Sequence, residues 1–341
     1  MKNKENFYLI IGLGSMGKRR IRNLQALGIE NIVGFDRRED RREETVKNYG
    51  INAVSSFEEA VTNYKFVAFV ISLPPDIHHI YMKKAIEMGI PAFIEASVVD
   101  TDFDQMIIEA KVKDVFLAPS CTLFFHPAIK KIAKILKNGE LGKISNFLYH
   151  SGQYLPDWHT YEEVSEYYVS NKETGGGREI VPFELTWITL VLGFPNRVVG
   201  LYKNAIHIKG ADDIDETYNL LLDYGKSIFN LSVDVVSRYA TRRLVINGDK
   251  KQLYWNWDDN MIKIYDPESN KWDEIKYEIV SAQIGYNKNL TEQMYIDEMS
   301  AFLKAANKER PFPNTLEHDH KVLKVLYAVE SSDNNNVIEK L

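Results

Sequence analysis

"FYLIIGLGSMGKRRIRNLQALG", residues 7–28, decides the fold. A short, wholly apolar run ends in glycines at 12, 14 and 17, and a helical run follows without a break. On a strand–turn–helix each glycine has a mechanical reason: Gly12 for the tight turn, Gly14 for backbone approach to a pyrophosphate, Gly17 for close packing of helix on strand. The helix N-terminus then attracts the anion, with Ser15 and Met16 in the contacting loop. The motif alone is weak, because chance copies are common; its context makes it a dinucleotide site. Asp36 closes the next strand, 19 residues after Gly17, where a carboxylate accepts hydrogen bonds from an adenosine ribose. That carboxylate would repel a 2′-phosphate and favours NAD. Arg37 and Arg38 stand where guanidinium groups would hold the phosphate, so NADP stays open.

Working outward, "NIVGF", "FVAFVI", "PAFIE" and "VFLAP" are further short apolar runs, separated by helical segments such as "IYMKKAIEMG". Strands apolar on both faces and alternating with helices indicate a parallel sheet covered on both sides. Gly89 and Pro91 in "EMGIP" mark the end of one helix. "VISLPPDIHH", residues 70–79, carries a strand end into two prolines, which puts Leu73, Pro74 and His78 at the carboxyl edge where ligands bind in open α/β sheets. After residue 120 the pattern changes. A helix at "PAIKKIAKILKNG" precedes seven strand-like runs from "ISNFLYHSG" to "MIKIYD", with "DYGKS" and "NGD" as hairpin turns, and two helices follow at about 291–307 and 316–332.

The 341 residues, 45% of them hydrophobic, suffice for two domains, expected at 1–120 and 121–341. Net charge is −6 with Lys and Arg dispersed, which argues against a nucleic-acid footprint and for a small-molecule ligand. One cysteine, Cys121, allows no intrachain disulfide. No metal-ligand set, signal segment or apolar stretch of about 18 residues is read, so the expected location is the cytoplasm, away from membranes.

"GLGSMG", "SLPPDIHHIYMKKAIEMGIPAFIE", "FFHPAIKKIAKILKNGELGKI", the glycines of "TGGGREIVPFELTW" (174–187) and "ERPFPNTLEHDHKVLKVLYAVESS" together resemble the glucose–fructose oxidoreductase / inositol dehydrogenase (GFO/IDH/MocA) family over most of the chain. The resemblance implies an N-terminal Rossmann domain and a C-terminal α+β domain built on a large, open, mostly antiparallel sheet, α/β overall. The outer face of that sheet commonly joins copies, so a homodimer or homotetramer is expected. The implied activity is NAD(P)-dependent hydride transfer to or from a hydroxyl or carbonyl of a sugar, amino sugar, nucleotide sugar or cyclitol.

The chain departs from the family pattern where the chemistry sits. The resemblance implies Glu-Lys-Pro beside the nicotinamide; here Glu95 is followed by Ala96 and Ser97, and a methyl group relays no proton. It also implies an acid and, four residues on, a histidine after the glycine run. Counted from the downstream helix these positions are Glu179 and Phe183; counted from the glycines they are Val181 and Leu185. The first register keeps an acid and puts Pro182 in the first turn of a helix. By the same resemblance the glycines approach the nicotinamide end of the cofactor. Glu179 is then the candidate catalytic carboxylate, and Arg178 and Glu184 are candidate substrate contacts. Arg178 and Glu179 are equally readable as a plain pair at a helix end.

Replacement proton carriers lie in the aromatic loop "GQYLPDWHTYEEVSEYY", residues 152–168: His159, titrating near neutrality, or Tyr154, with Asp157 and Tyr161 nearby. His126, before Pro127, is a further substrate-site candidate or a hinge residue. With lysine and histidine both missing, the alternative is a dinucleotide-binding protein without dehydrogenase activity, regulatory or structural in role.

Overall fold

The computed structural model describes residues 6–158, 162–279 and 291–341. By Cα proximity the chain forms two compact units, Met1–Thr122 with Tyr295–His320, and Leu123–Met294 with Lys321–Leu341. The first unit therefore takes back a segment that a boundary at 120/121 leaves in the second.

The first unit alternates strand and helix: β1 (Phe7–Ile11), α1 (Ser15–Ala26), β2 (Ile32–Phe35), α2 (Glu39–Tyr49), β3 (Asn52–Val54), α3 (Phe57–Asn63), β4 (Phe66–Ile71), α4 (His78–Met88), β5 (Ala92–Ile94), α5 (Phe103–Val112) and β6 (Leu117–Pro119). The sheet has the order β3-β2-β1-β4-β5-β6, and its strand pairs are parallel. That order reverses direction between β1 and β4, the switch point at which doubly wound sheets bind ligands. Helix α4 ends as expected, with Gly89 in the left-handed region at φ 69°. Strand β3 is missing from the sequence reading, since three residues, one of them buried, show no periodicity.

A buried ion network fixes α1 against the sheet. Arg20, fully buried, gives Nε and Nη2 to the Glu95 carboxylate at 2.6 and 3.0 Å, and Nη2 also lies 2.9 Å from Oε2 of the equally buried Glu298. Glu298 in turn accepts from the Ser120 hydroxyl, the Cys121 amide and the Thr122 hydroxyl at 3.0, 2.6 and 2.7 Å, which binds it to the turn after β6. Burial opposes the Arg20 charge, but its two carboxylates outweigh that and raise its pKa.

The second unit begins with α6 (Pro127–Lys137), then β7 (Ile144–Tyr154), α7 (Gly176–Leu192), β8 (Arg197–Lys203), β9 (Thr217–Asp223), β10 (Ile228–Asp234), β11 (Val236–Gly248), β12 (Gln252–Asn256), β13 (Met261–Asp266) and β14 (Lys271–Lys276). Helices α8 (Glu292–Ala306) and α9 (Leu316–Asn335) and the short β15 (Glu339–Lys340) complete the chain. The sheet order is β14-β13-β12-β11-β7-β10-β9-β8-β15; β7 and β10 run parallel and the other pairs antiparallel. Alternation sets its faces: Phe147 and Tyr149, Leu220 and Leu222, and Phe229 and Leu231 are buried, while Leu148, Leu221 and Ile228 are exposed. Gly200 of β8 packs against Val329 of α9 on the covered side, where its amide reaches the Ser332 hydroxyl at 3.2 Å. No helix among the described residues is long and apolar enough to cross a membrane.

Replacing Glu298 by alanine leaves the Arg20 charge half-paired and three donors without an acceptor, which costs about 3–5 kcal/mol for a buried pair. Chemical denaturation of the first unit measures this, and a loss below about 1 kcal/mol would contradict the role given to Glu298.

Candidate functional site

The loop between β1 and α1 has the form a dinucleotide needs. Gly12 has φ 94°, and a Cβ there would overlap the Ser72 carbonyl oxygen; a Cβ on Gly17 would overlap the carbonyl oxygen of Gly12. These two glycines serve the protein's own packing. Gly14 differs: the nearest atom to a Cβ there is Arg41 Nη1 at 3.4 Å, with no backbone in the way. Gly14 caps α1 with no side-chain hydrogen bond, which sets the N-terminal end of α1, with the favourable sign of its dipole, where an anion would sit. Asp36 closes the cradle. Its Oδ2 accepts the Leu13 amide at 2.8 Å and its Oδ1 the Arg38 amide at 2.9 Å, which holds the carboxylate beside the glycine loop. The residues fit a nicotinamide dinucleotide, with the loop amides for its pyrophosphate and Asp36 for its ribose.

The arginines after Asp36 sort differently from the expectation. Arg37 is exposed, Arg38 pairs with Asp40 at 2.6 Å, and Arg42 Nη1 holds the carbonyls of Asp36 and Arg37 at 3.0 and 2.8 Å. Arg41, missed within the charged run "DRREDRREE", has its guanidinium 3.8 Å from Asp36 Oδ2 and beside Gly14. Only the helical phase of α2 brings it there. At the edge of β4, Leu73 and Pro74 are half-buried. His78 turns inward instead: its Nε2–H donates to the Leu73 carbonyl at 2.7 Å, and burial lowers its pKa, so it braces the turn as a neutral ring. Glu95, expected at the cofactor, spends its carboxylate on Arg20, and Ala96 after it is half-buried.

In the second unit the glycine run corrects the expectation built on it. Helix α7 starts at Gly176, so the glycines form its cap and first turn and Pro182 falls inside the helix. What they approach is the chain's own backbone: a Cβ on Gly175 would overlap the Val169 carbonyl, Gly176 lies against Asp215 O at φ 65°, and the Gly177 amide donates to Asp215 O at 2.7 Å. Side chains in the run would push the start of α7 off Val169 and off the segment that leads into β9. The helix also separates the two registers, since Val181 and Leu185 are in the core while Glu179 and Phe183 share a less buried stripe four residues apart.

Glu179 is the carboxylate of α7 with the fewest partners. The Tyr168 hydroxyl donates to its Oε1 at 2.7 Å, and Oε2 is buried with no hydrogen-bond partner among the described residues. Burial raises its pKa to about 7, with the Tyr168 hydrogen bond pulling the other way. Tyr168 gave no signal in the sequence, being one tyrosine in an aromatic loop; that loop coils into short 3-10 turns, Leu155–Asp157, Val164–Glu166 and Tyr168–Ser170.

Other expected residues have structural employment. Arg178 pairs with Glu330 at 2.6 Å and donates to the Glu173 carbonyl, so it is not a free clamp for a substrate anion. Glu184 is fully buried and saturated: Arg242 Nε and the Ser151 hydroxyl reach Oε1 at 2.9 and 2.8 Å, the Tyr149 hydroxyl and Trp187 Nε1 reach Oε2 at 2.8 and 2.9 Å. His126 caps α6, accepting the Ala128 amide on Nδ1 at 3.2 Å, and burial lowers its pKa to about 3. These three serve the frame, because a buried polar group has to be paired to be tolerated. Tyr154 ends β7 with the Arg238 guanidinium 3.8 Å over its ring, and Asp157 is exposed. His159 and Tyr161 lie outside the described residues.

Two family models match. Residues 7–113 fit the oxidoreductase family with an NAD-binding Rossmann fold, and residues 129–254 fit the GFO/IDH/MocA C-terminal domain. The chain belongs to the GFO/IDH/MocA family. Its first unit is the family's NAD-binding Rossmann domain. Solved structures share the fold at low identity. An Agrobacterium radiobacter oxidoreductase in complex with NAD+, L-tartaric acid and magnesium aligns at TM-score 0.83 and 12% identity, covering 98% of each chain. Levoglucosan dehydrogenase with NADH and levoglucosan aligns at 0.82 and 14%, covering 98% of this chain and 99% of that one. A Desulfitobacterium hafniense protein described as a putative NADPH-dependent oxidoreductase aligns at 0.80 and 15%, covering 100% and 98%. No curated protein sequence matches the chain.

Because Gly14 alone of the three motif glycines meets no backbone of its own chain, Gly14→Val is expected to abolish NADH binding in calorimetry while leaving the melting temperature within a few degrees of the parent's. Retained binding would overturn the assignment of this loop.

Proposed function

We propose that the chain is an NAD(P)-dependent oxidoreductase acting on a CH–OH or carbonyl centre of a sugar, amino sugar, nucleotide sugar or cyclitol, with Glu179 as its acid–base group. The observation that carries this is the buried Glu179 carboxyl, pushed up to about 7 with no cation beside it among the described residues and one oxygen unpaired. A group titrating there exchanges protons in both directions near neutral pH. The nicotinamide nucleotide supplies the hydride chemistry when bound. In alcohol oxidation the Glu179 carboxylate accepts the hydroxyl proton while the carbon gives up hydride; in carbonyl reduction its carboxylic acid returns that proton to the oxygen. Ala96 performs no such transfer, which is why the reading rests on α7. His159 and Tyr154 are the groups to test as second proton carriers.

The substrate class draws support from family membership and from levoglucosan in the complex of the similar dehydrogenase. For the nucleotide, Asp36 favours the free 2′-hydroxyl of NAD, while Arg41 beside it and the exposed Arg37 temper the repulsion of a 2′-phosphate, so NADP binds more weakly but measurably. The reading extends to self-association. Val199, Leu221, Asn230, Leu148, Val245 and Tyr254 line up across the open face of the second sheet, and Leu148 and Leu221 are 46% and 47% exposed. Burying that face against another copy makes a dimer or tetramer, which light scattering tests; a monomer at micromolar concentration contradicts it.

Absorbance of NADH in a screen of sugars, sugar acids and nucleotide sugars tests the activity. Glu179→Gln is expected to lower turnover by about 10²–10⁴-fold with NADH affinity nearly unchanged. Undiminished activity in that variant would remove Glu179 from the chemistry. Tight NADH binding with no turnover on any substrate would favour the non-catalytic reading, for which the loss of lysine at Ala96 is the argument.

A further inference from the structure

The Glu179 carboxyl has two inequivalent oxygens, and the difference comes from one hydroxyl. Oε1 is held by the Tyr168 hydroxyl at 2.7 Å, whereas Oε2 is buried and has no partner among the described residues. The neighbouring cation is turned away, with Arg178 committed to Glu330 and the Glu173 carbonyl. Tyr168 itself is fixed at the start of its own 3-10 turn, where its carbonyl accepts the Thr174 hydroxyl at 3.1 Å and its ring meets Tyr167 edge-on at 6.2 Å. A phenol whose proton points at Oε1 leaves no room for a second proton on that oxygen.

We infer that Tyr168 is the positioning residue of Glu179: its hydroxyl occupies Oε1 and so confines the exchangeable proton of the carboxyl to Oε2. This rests on the reading of Glu179 as the acid–base group, but its mechanism is independent of any substrate. Two consequences follow from the geometry. The carboxyl cannot rotate without breaking the hydrogen bond, so the proton is presented in one direction. The phenol donates best to the charged form, so it holds the titration of Glu179 down against the burial that raises it, and both influences act on the same group. Among the described residues no other titratable or charged side chain contributes to that balance.

Infrared difference titration of the full chain, without substrate or nucleotide, reads the carbonyl stretch of the protonated carboxyl. The parent is expected to show a band that titrates near neutral pH and is absent in Glu179→Gln. In Tyr168→Phe, which keeps the ring, the midpoint moves up, a rise in proton affinity of roughly tenfold or more for loss of a hydrogen bond to a charged group. Should that variant fail to fold, 3-fluorotyrosine at position 168 serves instead: it has nearly the same shape and is a stronger donor, so the midpoint moves down. A midpoint unmoved by either substitution overturns the inference, as does a parent without a neutral-range band lost in Glu179→Gln. Absence of dehydrogenase activity in the substrate screen would sink the proposed function while leaving the infrared result to stand or fall separately.

Discussion

Helix α1 lies so close to the end of β1 that residue 17 has room for no side chain: a Cβ there would occupy the space of the Gly12 carbonyl oxygen. Much of the first unit depends on that contact. It brings the N-terminus of α1, capped by Gly14, to the carboxyl edge of the sheet. One turn later on the same helix face stands Arg20, and the close approach carries its guanidinium into the interior, onto Glu95 after β5 and Glu298 of α8. A charge so deep is tolerated only when paired on both sides, and two carboxylates supply that. The close packing that Gly17 permits thus also helps tie the C-terminal segment Tyr295–His320 into the first unit, through Arg20 and Glu298.

Helix α7 shows the same economy with two glutamates five residues apart. Glu184 receives one cation and three neutral donors and is locked, with Arg242 crossing from β11 to meet it. Glu179 receives a single phenol. Both are acids on one helix, and sequence gives them equal standing as candidates. Their environments separate them: a guanidinium lies against Glu184, whereas Glu179 has none, and burial pushes its pKa up to about 7.

The strand–helix alternation and the glycine loop were legible because they rest on local rules: apolar runs of strand length, a tight turn, Asp36 closing a strand. The second sheet was legible through its hairpin turns. It extends two strands further than its seven apolar runs: β14 ("KWDEIK") is an exposed edge with almost nothing buried, and β15 is only two residues long. The places of Gly14, Asp36 and Glu179 in the fold were legible because residue type and backbone position coincide there: a loop glycine, a strand-end acid and an acid in the first turn of a helix. The ion pairs of Arg178, Glu184 and Glu95 could not be read from sequence because their partners lie far along the chain: Glu330 is 152 residues from Arg178, Arg242 58 from Glu184, and Arg20 75 from Glu95. Arg41 and Tyr168 were invisible for the converse reason, their importance arising from helical phase and from the coil of a loop rather than from residue type. The glycine run misled in kind, because close approach of backbone to backbone leaves the same signature as close approach to a ligand.

The titration of Glu179 has a thermodynamic side that bears on why the group is there. Its pKa is about 7 in the folded chain against an ordinary value of 4.5. Between those values the native state binds more protons than the unfolded state, so stability falls as pH rises from about 4.5 toward 7, and above 7 the whole cost is present. This is the reverse of a salt-bridged carboxylate, whose stabilisation is gained over its own range of rising pH. A glutamine at 179 would keep the Tyr168 hydrogen bond without that cost, and an apolar residue would suit the burial better still. Local choices that work against stability concentrate where a protein does chemistry. Glu184, deeper in the core and fully paired, shows that this helix can satisfy a buried carboxylate with a cation and neutral donors, so the undersupply is a feature of position 179 and not of α7 as a whole.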